Sequence, residues 1–264
     1  MLHFTKMQGL GNDYLYVYGE APENVAELCV RLSDRHFGAG SDGMIFITPS
    51  RVADFGMRIF NADGSEAMMC GNGIRCVGKF VYDKGYTDKK RLTVETRSGV
   101  RALELFLSGG KVRQVNVGMG RATVSPDVRL SAAGQEFLCT PVSVGNPHAV
   151  IFLDAIGDAP LTIAGPVLEK HPAFPGGVNV EFAQVTERNR IRVRVWERGS
   201  GVTMACGTGA CAVAAAAVEK GFCDPDVPIR IVLDGGELKI TVAGNGTVSM
   251  TGPAETVYEG EAVS

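Results

Sequence analysis

Two kinds of hydrophobic spacing alternate along the chain and predict many strands with a few helices between them. Apolar and polar residues alternate over residues 54–60 and 190–196, which is the period of a half-buried strand. Over residues 23–37 and 70–84, apolar residues recur three and four positions apart, as in an amphipathic helix. Short glycine-rich turns separate most of these segments, so the pattern predicts an α+β fold.

The same signals assign the remaining elements of the first half of the chain. Residues 5–13 carry several glycines and are predicted to form a loop before a strand. Gly85 is expected to end the helix that begins at Cys70. Further strands are predicted at residues 14–18, 44–47, 92–96, 100–107 and 112–117.

One stretch of the chain occurs twice. The motif Cys-Gly-x-Gly stands at Cys70 and again at Cys206, and a shift of 136 positions (206 minus 70) also superposes Arg58 on Arg194 and Gly85 on Gly221. Strand-like and helix-like segments follow both copies in the same order. The repeat predicts two pseudo-symmetric halves, residues 1–117 and 118–251, with the tail 252–264 adding to the first half.

The second helix indicates how each half is built. Residues 210–218 are apolar on every side, and a helix without a polar face is buried all round. Since the flanking segments read as strands, each half is expected to be a β-sheet wrapped around a central helix.

Composition narrows the possible functions. The chain has 264 residues, is 45% hydrophobic and carries a net charge of −3, which gives no electrostatic footprint for nucleic acid or an anionic membrane. No apolar run is long enough to span a bilayer, and no signal region is visible, so a cytoplasmic location is expected. Seven cysteines, spaced unlike zinc ligands and without nearby histidines, predict neither a disulfide framework nor a metal site.

The repeated cysteines suggest chemistry. Each stands at a predicted helix start followed by small residues, where exposed backbone N–H groups bind anions. A free thiol has a pKa of about 8.5, and helix N-termini lower it, so both thiols are expected to be partly ionised. Two such thiols suit inversion of a carbon centre, in which one base removes the α-proton and one acid returns a proton.

Other features limit this interpretation. No glycine-rich dinucleotide or phosphate loop and no lysine motif for a pyridoxal cofactor is visible, so the predicted inversion requires no cofactor. A single cysteine at a helix start is more often a small core residue than a catalyst. We assign that structural role to the remaining cysteines, which are Cys29, Cys76, Cys139, Cys211 and Cys223.

Long motifs over nearly the whole chain resemble the diaminopimelate epimerase family. They are Lys6-Met-Gln-Gly-Leu-Gly-Asn-Asp13, Asn61-Ala-Asp-Gly-Ser-Glu66, Cys70-Gly-Asn-Gly-Ile-Arg-Cys76, Gly145-Asn-Pro-His148, Glu197-Arg-Gly-Ser-Gly201 and Ala205-Cys-Gly-Thr-Gly-Ala210. The resemblance implies interconversion of LL- and meso-diaminopimelate for lysine and peptidoglycan synthesis. It also implies a homodimer and an active site in the cleft between the two halves.

The resemblance further implies residue roles. Cys70 and Cys206 would be the acid–base pair, while His148 and Glu197 would tune their pKa values. Gly71, Asn72, Gly207 and Thr208 would hold the reacting carboxylate. The rest of the substrate would be bound by Asn12, Asn61, Asn146, Asn179, Glu197 and Arg198.

Several alternatives remain open at the level of sequence. The chain could be a racemase of proline, hydroxyproline or histidine within the same superfamily, although Glu197 and Arg198 argue against substrates without a charged distal end. It could also be a redox-sensitive amino-acid-binding protein. Asn12, Asn61 and Asn146 lie in predicted loops, so their side chains could simply stabilise turns. His148 could likewise be a structural histidine without a role in catalysis.

Some family members carry Gln where this chain has Gly43, so that position is left out of the predicted site.

Overall fold

The computed structural model describes residues 1–263, which form two compact units. Unit 1 comprises residues 1–117 together with the C-terminal segment that begins at Gly252, and unit 2 comprises residues 118–251. Both units are α+β, with a mixed sheet and two α-helices each. The boundaries fall within two strands rather than within loops.

The elements of unit 1 follow in chain order. They are β1 (Leu2–Gly9), β2 (Asn12–Tyr18), α1 (Val25–Ser33), β3 (Gly43–Pro49), β4 (Phe55–Asn61), β5 (Glu66–Ala67), α2 (Gly71–Asp83), β6 (Arg91–Thr96), β7 (Gly99–Ser108), β8 (Lys111–Arg121) and, from the tail, β19 (Glu255–Ala262).

The elements of unit 2 repeat this order. They are β9 (Thr123–Val124), β10 (Val128–Ala132), β11 (Gln135–Ser143), β12 (Pro147–Phe152), a 3₁₀ helix (Ile156–Asp158), α3 (Leu161–Glu169), β13 (Asn179–Glu187), β14 (Arg190–Glu197), β15 (Gly201–Thr203), α4 (Gly207–Glu219), β16 (Ile229–Leu233), β17 (Gly236–Val242) and β18 (Thr247–Pro253).

The strand pairing shows the pseudo-symmetry directly. In unit 1, β2 pairs with β3 and β4 pairs with β6 in parallel, while the other pairs are antiparallel. In unit 2, the parallel pairs are β12 with β13 and β14 with β16. Parallel neighbours need a crossover connection, and α1, α2, α3 and α4 supply it at equivalent places. The tail strand β19 pairs antiparallel with β1.

The central helix of each unit is buried against its own sheet. In α4 the residues from Gly209 to Ala217 are all buried, as the apolar pattern predicted. In α2 the predicted apolar face is buried as well, but Arg75 and Lys79 are buried beside it. Arg75 donates from Nε to the Pro253 carbonyl at 3.0 Å, and Lys79 forms a 2.7 Å ion pair with Asp83. Their charges are therefore accommodated by hydrogen bonds inside unit 1.

The predicted loop at residues 5–13 is wrong. Residues up to Gly9 belong to β1, and only Leu10 and Gly11 form the turn to β2. Both residues have positive φ, 59° and 84°, which is the geometry of a two-residue type I′ hairpin. Such turns usually have asparagine, aspartate or glycine at the first position, so the leucine found there does not predict a hairpin.

Helix α1 is shorter than the predicted segment 23–37. The Asp34 carboxylate accepts backbone hydrogen bonds from His36 and Phe37, both at 2.7 Å. These hydrogen bonds use backbone N–H groups that a longer helix would need, so α1 ends at Ser33.

Candidate active site

Each central helix begins at one of the repeated cysteines. Cys70 is the N-cap of α2, and its Sγ accepts a hydrogen bond from the Gly73 backbone N–H at 3.3 Å. Cys206 is the N-cap of α4, and its Sγ accepts from the Gly209 N–H at the same distance. The structure thus places both sulfurs at the positive end of a helix, where negative charge is stabilised.

The second glycine of each motif allows a side chain of the neighbouring strand to approach the helix start. A Cβ at Gly73 would lie 2.7 Å from Cδ1 of Ile45 on β3. A Cβ at Gly209 would lie 2.5 Å from Oε1 of Glu181 on β13. Ile45 and Glu181 are related by the repeat shift of 136, so the two helix starts share their shape but not their chemistry.

The surroundings of Cys70 in unit 1 are polar and hydrogen-bonded. Its Sγ donates to Oδ1 of Asn12 at 3.2 Å, and Nδ2 of Asn12 donates to Asp42 at 2.8 Å. Asn12 is therefore next to the thiol, and both ends of its amide are bonded to protein groups. Tyr14 is packed nearby, and burial raises the pKa of its hydroxyl well above the usual range, with the adjacent Cys70 sulfur adding to the shift.

Cys206 in unit 2 is in a different environment. Its side chain is buried, and burial raises the pKa of this thiol well above its usual range, with the Glu197 carboxylate adding to the effect. The expectation that the helix start leaves this thiol partly ionised is therefore wrong for Cys206. Loss of hydration and a neighbouring anion outweigh the helix end, which acts only through its first turn.

Glu197 is itself perturbed. Burial raises the pKa of its carboxyl group, and a hydrogen bond from the Thr203 hydroxyl at 2.5 Å partly opposes that shift. Glu197 ends β14 and Thr203 ends the short strand β15, so this β-hairpin holds the carboxylate next to Cys206.

His148 and Asn146 connect to the same thiol through hydrogen bonds. His148 Nδ1 is 2.7 Å from Glu181 Oε1, and His148 Nε2 is 3.0 Å from Asn146 Oδ1. Asn146 Nδ2 donates to the Thr208 hydroxyl at 3.3 Å, and that hydroxyl lies 3.5 Å from Cys206 Sγ.

The four residues predicted to hold the reacting carboxylate differ in position and burial. Gly71 and Gly207 are the first residues of α2 and α4, so their N–H groups belong to the unsatisfied first turn of each helix. The side chain of Asn72 is buried towards Gly9 of β1. The Thr208 hydroxyl, in contrast, lies beside the thiol.

The remaining predicted substrate ligands lie at strand ends. Asn179 begins β13 and accepts from the Arg198 backbone N–H at 2.9 Å, so it fixes the turn that follows Glu197. Arg198 is held by the Gly176 carbonyl at 2.9 Å. Asn61, at the end of β4, bonds Ser65 within its own turn. For Asn61 the turn-forming interpretation describes what the side chain does in this structure.

Sequence reasoning missed Glu181. It is fully buried, and its Oε2 has no hydrogen-bond partner among the residues that the structure describes. An available signal was an acidic residue in the middle of the apolar strand Val178-Asn-Val-Glu-Phe182, two positions from Asn179 and therefore on the same face.

The five cysteines that the sequence assigns to the core are all buried. Gly43 has φ of 151°, and a Cβ there would lie 2.0 Å from the Phe60 carbonyl oxygen, so only glycine fits. Within residues 1–263, no helix is long and apolar enough to cross a membrane, and no group of three or more His, Cys, Asp or Glu side chains is placed to hold a metal ion.

Comparisons with known proteins identify the family. The model of the family described as diaminopimelate epimerase matches residues 4–125 and 140–257. A diaminopimelate epimerase of Acetivibrio thermocellus is 48% identical over 98% of both chains. One of Bacteroides thetaiotaomicron is 50% identical over 98% of this chain and 97% of its own. A phenazine biosynthesis protein of Bacillus anthracis, only 16% identical, shares the fold with a TM-score of 0.79 over 99% of both chains. The chain belongs to the diaminopimelate epimerase family.

Proposed function

We propose that this protein interconverts LL- and meso-diaminopimelate, with Cys70 and Cys206 as the two acid–base groups and no cofactor. The observation that carries the proposal is the repeated N-capping cysteine, each with a backbone N–H on its sulfur at 3.3 Å. The names of the full-length relatives, at 48% and 50% identity, support this substrate over another amino acid.

The proposed reaction moves two protons. One thiolate takes the α-proton, which breaks a C–H bond and forms an S–H bond. The other thiol gives its proton to the opposite face of the α-carbon, so its S–H bond breaks and the inverted C–H bond forms. The negative charge passes from one sulfur through the substrate carbanion to the other sulfur. Helix N–H groups stabilise the carboxylate into which the carbanion delocalises.

Substrate recognition is proposed to use charge at the distal end. Diaminopimelate carries an amino acid group at each end, so the end that does not react requires ligands of its own. The guanidinium of Arg198 can pair with a carboxylate, and Glu197 can accept from an ammonium group. Asn12, Asn61, Asn146 and Asn179 would complete the set, with Thr208 at the reacting carboxylate.

A turnover assay over a panel of amino acids tests the proposal. The purified enzyme should convert LL-diaminopimelate to the meso isomer and leave proline, hydroxyproline and histidine unchanged. Conversion of histidine without conversion of diaminopimelate would overturn the substrate assignment.

We further propose that the protein acts in the cytoplasm as a homodimer. Light scattering should then give twice the mass of the 28.0 kDa chain.

A further inference from the structure

Unit 2 contains a buried carboxyl group next to a buried imidazole. The side chains of Glu181 and His148 are both 0% exposed, and they meet at 2.7 Å. Burial of a net charge without full compensation is strongly unfavourable. The protonation of this pair is therefore constrained by its surroundings.

Both ring nitrogens of His148 face an acceptor oxygen. Nδ1 faces the Glu181 carboxyl group, and Nε2 faces the amide oxygen of Asn146 at 3.0 Å. An amide oxygen cannot donate, so Nε2 must carry a proton. A second proton must lie between Nδ1 and the carboxyl oxygen, on one atom or the other.

The pair consequently holds two protons. It is either an imidazolium with a carboxylate or a neutral imidazole with a carboxylic acid, and its net charge is zero in both cases. An ordinary neutral histidine beside an ionised glutamate would hold one proton and leave a buried negative charge. The other titratable groups near Glu181 are Cys139 on β11, Glu197 on β14 and Cys206.

The second proton sets the direction of a hydrogen-bond chain. Because His148 Nε2–H donates to Asn146 Oδ1, the amide nitrogen of Asn146 is turned to Thr208 and donates to its hydroxyl at 3.3 Å. The hydroxyl has then accepted one bond, and its own hydrogen is available for Cys206 Sγ at 3.5 Å. A thiolate can only accept, so a chain with this direction partly offsets the burial that raises the pKa of Cys206.

We propose that Glu181 is a positioning residue for Cys206: with His148 it forms a buried two-proton pair that directs the chain through Asn146 and makes Thr208 a donor to the sulfur. The inference deepens the proposed function, since it takes Cys206 to be one of the two acid–base groups. Unit 1 differs at this place. The strand registers put Ile45 where unit 2 has Glu181 and Tyr14 where it has His148, and the hydrogen bonds of Cys70 lead through Asn12 to Asp42 instead. The repeat therefore has different chemistry at its two thiols.

The proton count can be measured directly on the unmodified enzyme. The chain has four histidines, so nitrogen-15 NMR of histidine-labelled protein should be simple, with His148 assigned through His148→Gln. We expect His148 Nε2 to carry a proton at neutral pH, which is detected as a one-bond nitrogen–hydrogen coupling. An Nε2 without a proton would overturn the proposal even if the enzyme is fully active.

The path to the sulfur is tested by the reactivity of Cys206 in a Cys70→Ala background, where its alkylation rate by iodoacetamide reports the thiolate fraction. The Glu181→Met substitution keeps the approximate length of the side chain, and its thioether is a weak acceptor that cannot donate. Neutral His148 can then carry its proton on Nδ1, so that Nε2 accepts from a turned Asn146 amide, whose oxygen takes the Thr208 hydrogen. We expect labelling to slow about fivefold, as for the loss of one hydrogen bond.

A double-mutant cycle distinguishes this path from a direct effect of charge. In the Thr208→Val background, Glu181→Met should cause no further slowing, because the end of the chain is already missing. The matched control is Cys70 in a Cys206→Ala background, whose labelling should not change with Glu181→Met. Equal slowing with and without Thr208, or no slowing in either background, would overturn the proposal. Neither readout depends on turnover, so failure here is distinct from failure of the proposed reaction.

Discussion

The two capping thiols share one position in the helix and differ in what surrounds them. Cys70 donates to an asparagine oxygen at 3.2 Å in a half-buried setting. Cys206 is buried close to Glu197, and both burial and that carboxylate raise its pKa. The proton exchange proposed above needs one sulfur as thiolate and one as thiol, so each cysteine would have to lose and regain its proton in a different environment.

Glu197→Gln should make Cys206 more reactive. The substitution removes an anion that raises the Cys206 pKa, so the pKa should fall and the thiolate fraction at neutral pH should rise. In the Cys70→Ala background we expect alkylation of Cys206 to accelerate about tenfold, which corresponds to one pKa unit. The control is Glu187→Gln, an exposed glutamate that ends β13. Unchanged or slower labelling in Glu197→Gln would show that the carboxylate does not oppose ionisation.

Arg198→Ala should weaken binding of diaminopimelate. If the guanidinium pairs with the distal carboxylate, its loss should raise KM by about tenfold to a hundredfold, as for a hydrogen bond to a charged group. Steady-state kinetics measure this, with Arg188→Ala as the control because Arg188 is an exposed partner of Asp224. An unchanged KM for Arg198→Ala would remove this residue from the distal site.

The role of a single residue could be predicted where it belongs to a recognisable motif, but not where it depends on contacts made by the folded chain. The capping cysteines could be placed from the sequence because each Cys-Gly-x-Gly motif is followed by a segment that is predicted to be helical. Glu181 stands out in the sequence only as an acidic residue within an apolar strand, and its contact with His148, 33 positions away, depends on the fold. The shift of the Cys206 pKa was predicted with the wrong sign because burial depends on the whole of unit 2, not on the motif.

The helix starts depend on close contact with the neighbouring strand. Gly209→Ala should be more destabilising than Gly73→Ala. The added methyl would meet Glu181 at 2.5 Å, and Glu181 is anchored by His148, whereas at Gly73 it meets the terminal methyl of Ile45 at 2.7 Å, which can rotate. We expect Gly209→Ala to lower the free energy of unfolding by about 1–3 kcal/mol, measured by urea denaturation. Equal effects at the two glycines would contradict the idea that Glu181 is fixed.

Element type was predictable from spacing, whereas some boundaries depended on local geometry. The all-apolar segment of α4 could only be a buried helix, and it is one. The loop expected before Tyr14 is strand β1, because a leucine with positive φ allows a two-residue turn. The early end of α1 comes from a side-chain bond of Asp34, which competes with the helix for backbone N–H groups.

The tail strand is part of unit 1, although it lies at the other end of the chain. Strand β19 pairs with β1 from Leu2 opposite Ala262 to Gln8 opposite Glu255, and its Tyr258 hydroxyl donates to the Ala39 carbonyl at 3.0 Å. Ending the chain after Ala254 should therefore expose the β1 edge and lower the thermal midpoint, by about 2–4 °C for each kcal/mol of stability that is lost. Differential scanning calorimetry measures this shift.

The control for the truncation is Val257→Thr, which changes an exposed residue of the same strand and keeps its strand propensity. A truncated protein with an unchanged midpoint would show that β19 adds no stability. The repeat predicts the two units because one shift of 136 relates their motifs, but it says nothing about a strand that lies outside the repeat. The position of β19 follows from the open edge of β1 and could only be suggested from the sequence.

Cofactor-independent inversion by two thiols can be tested by proton exchange with the solvent. The purified enzyme, without added cofactor, is incubated with LL-diaminopimelate in heavy water, and the product is analysed by mass spectrometry and NMR. We expect meso product with one solvent deuterium at the inverted α-carbon, and loss of inversion in both Cys70→Ala and Cys206→Ala. Product without deuterium, or full activity in both variants, would rule out inversion by these two thiols.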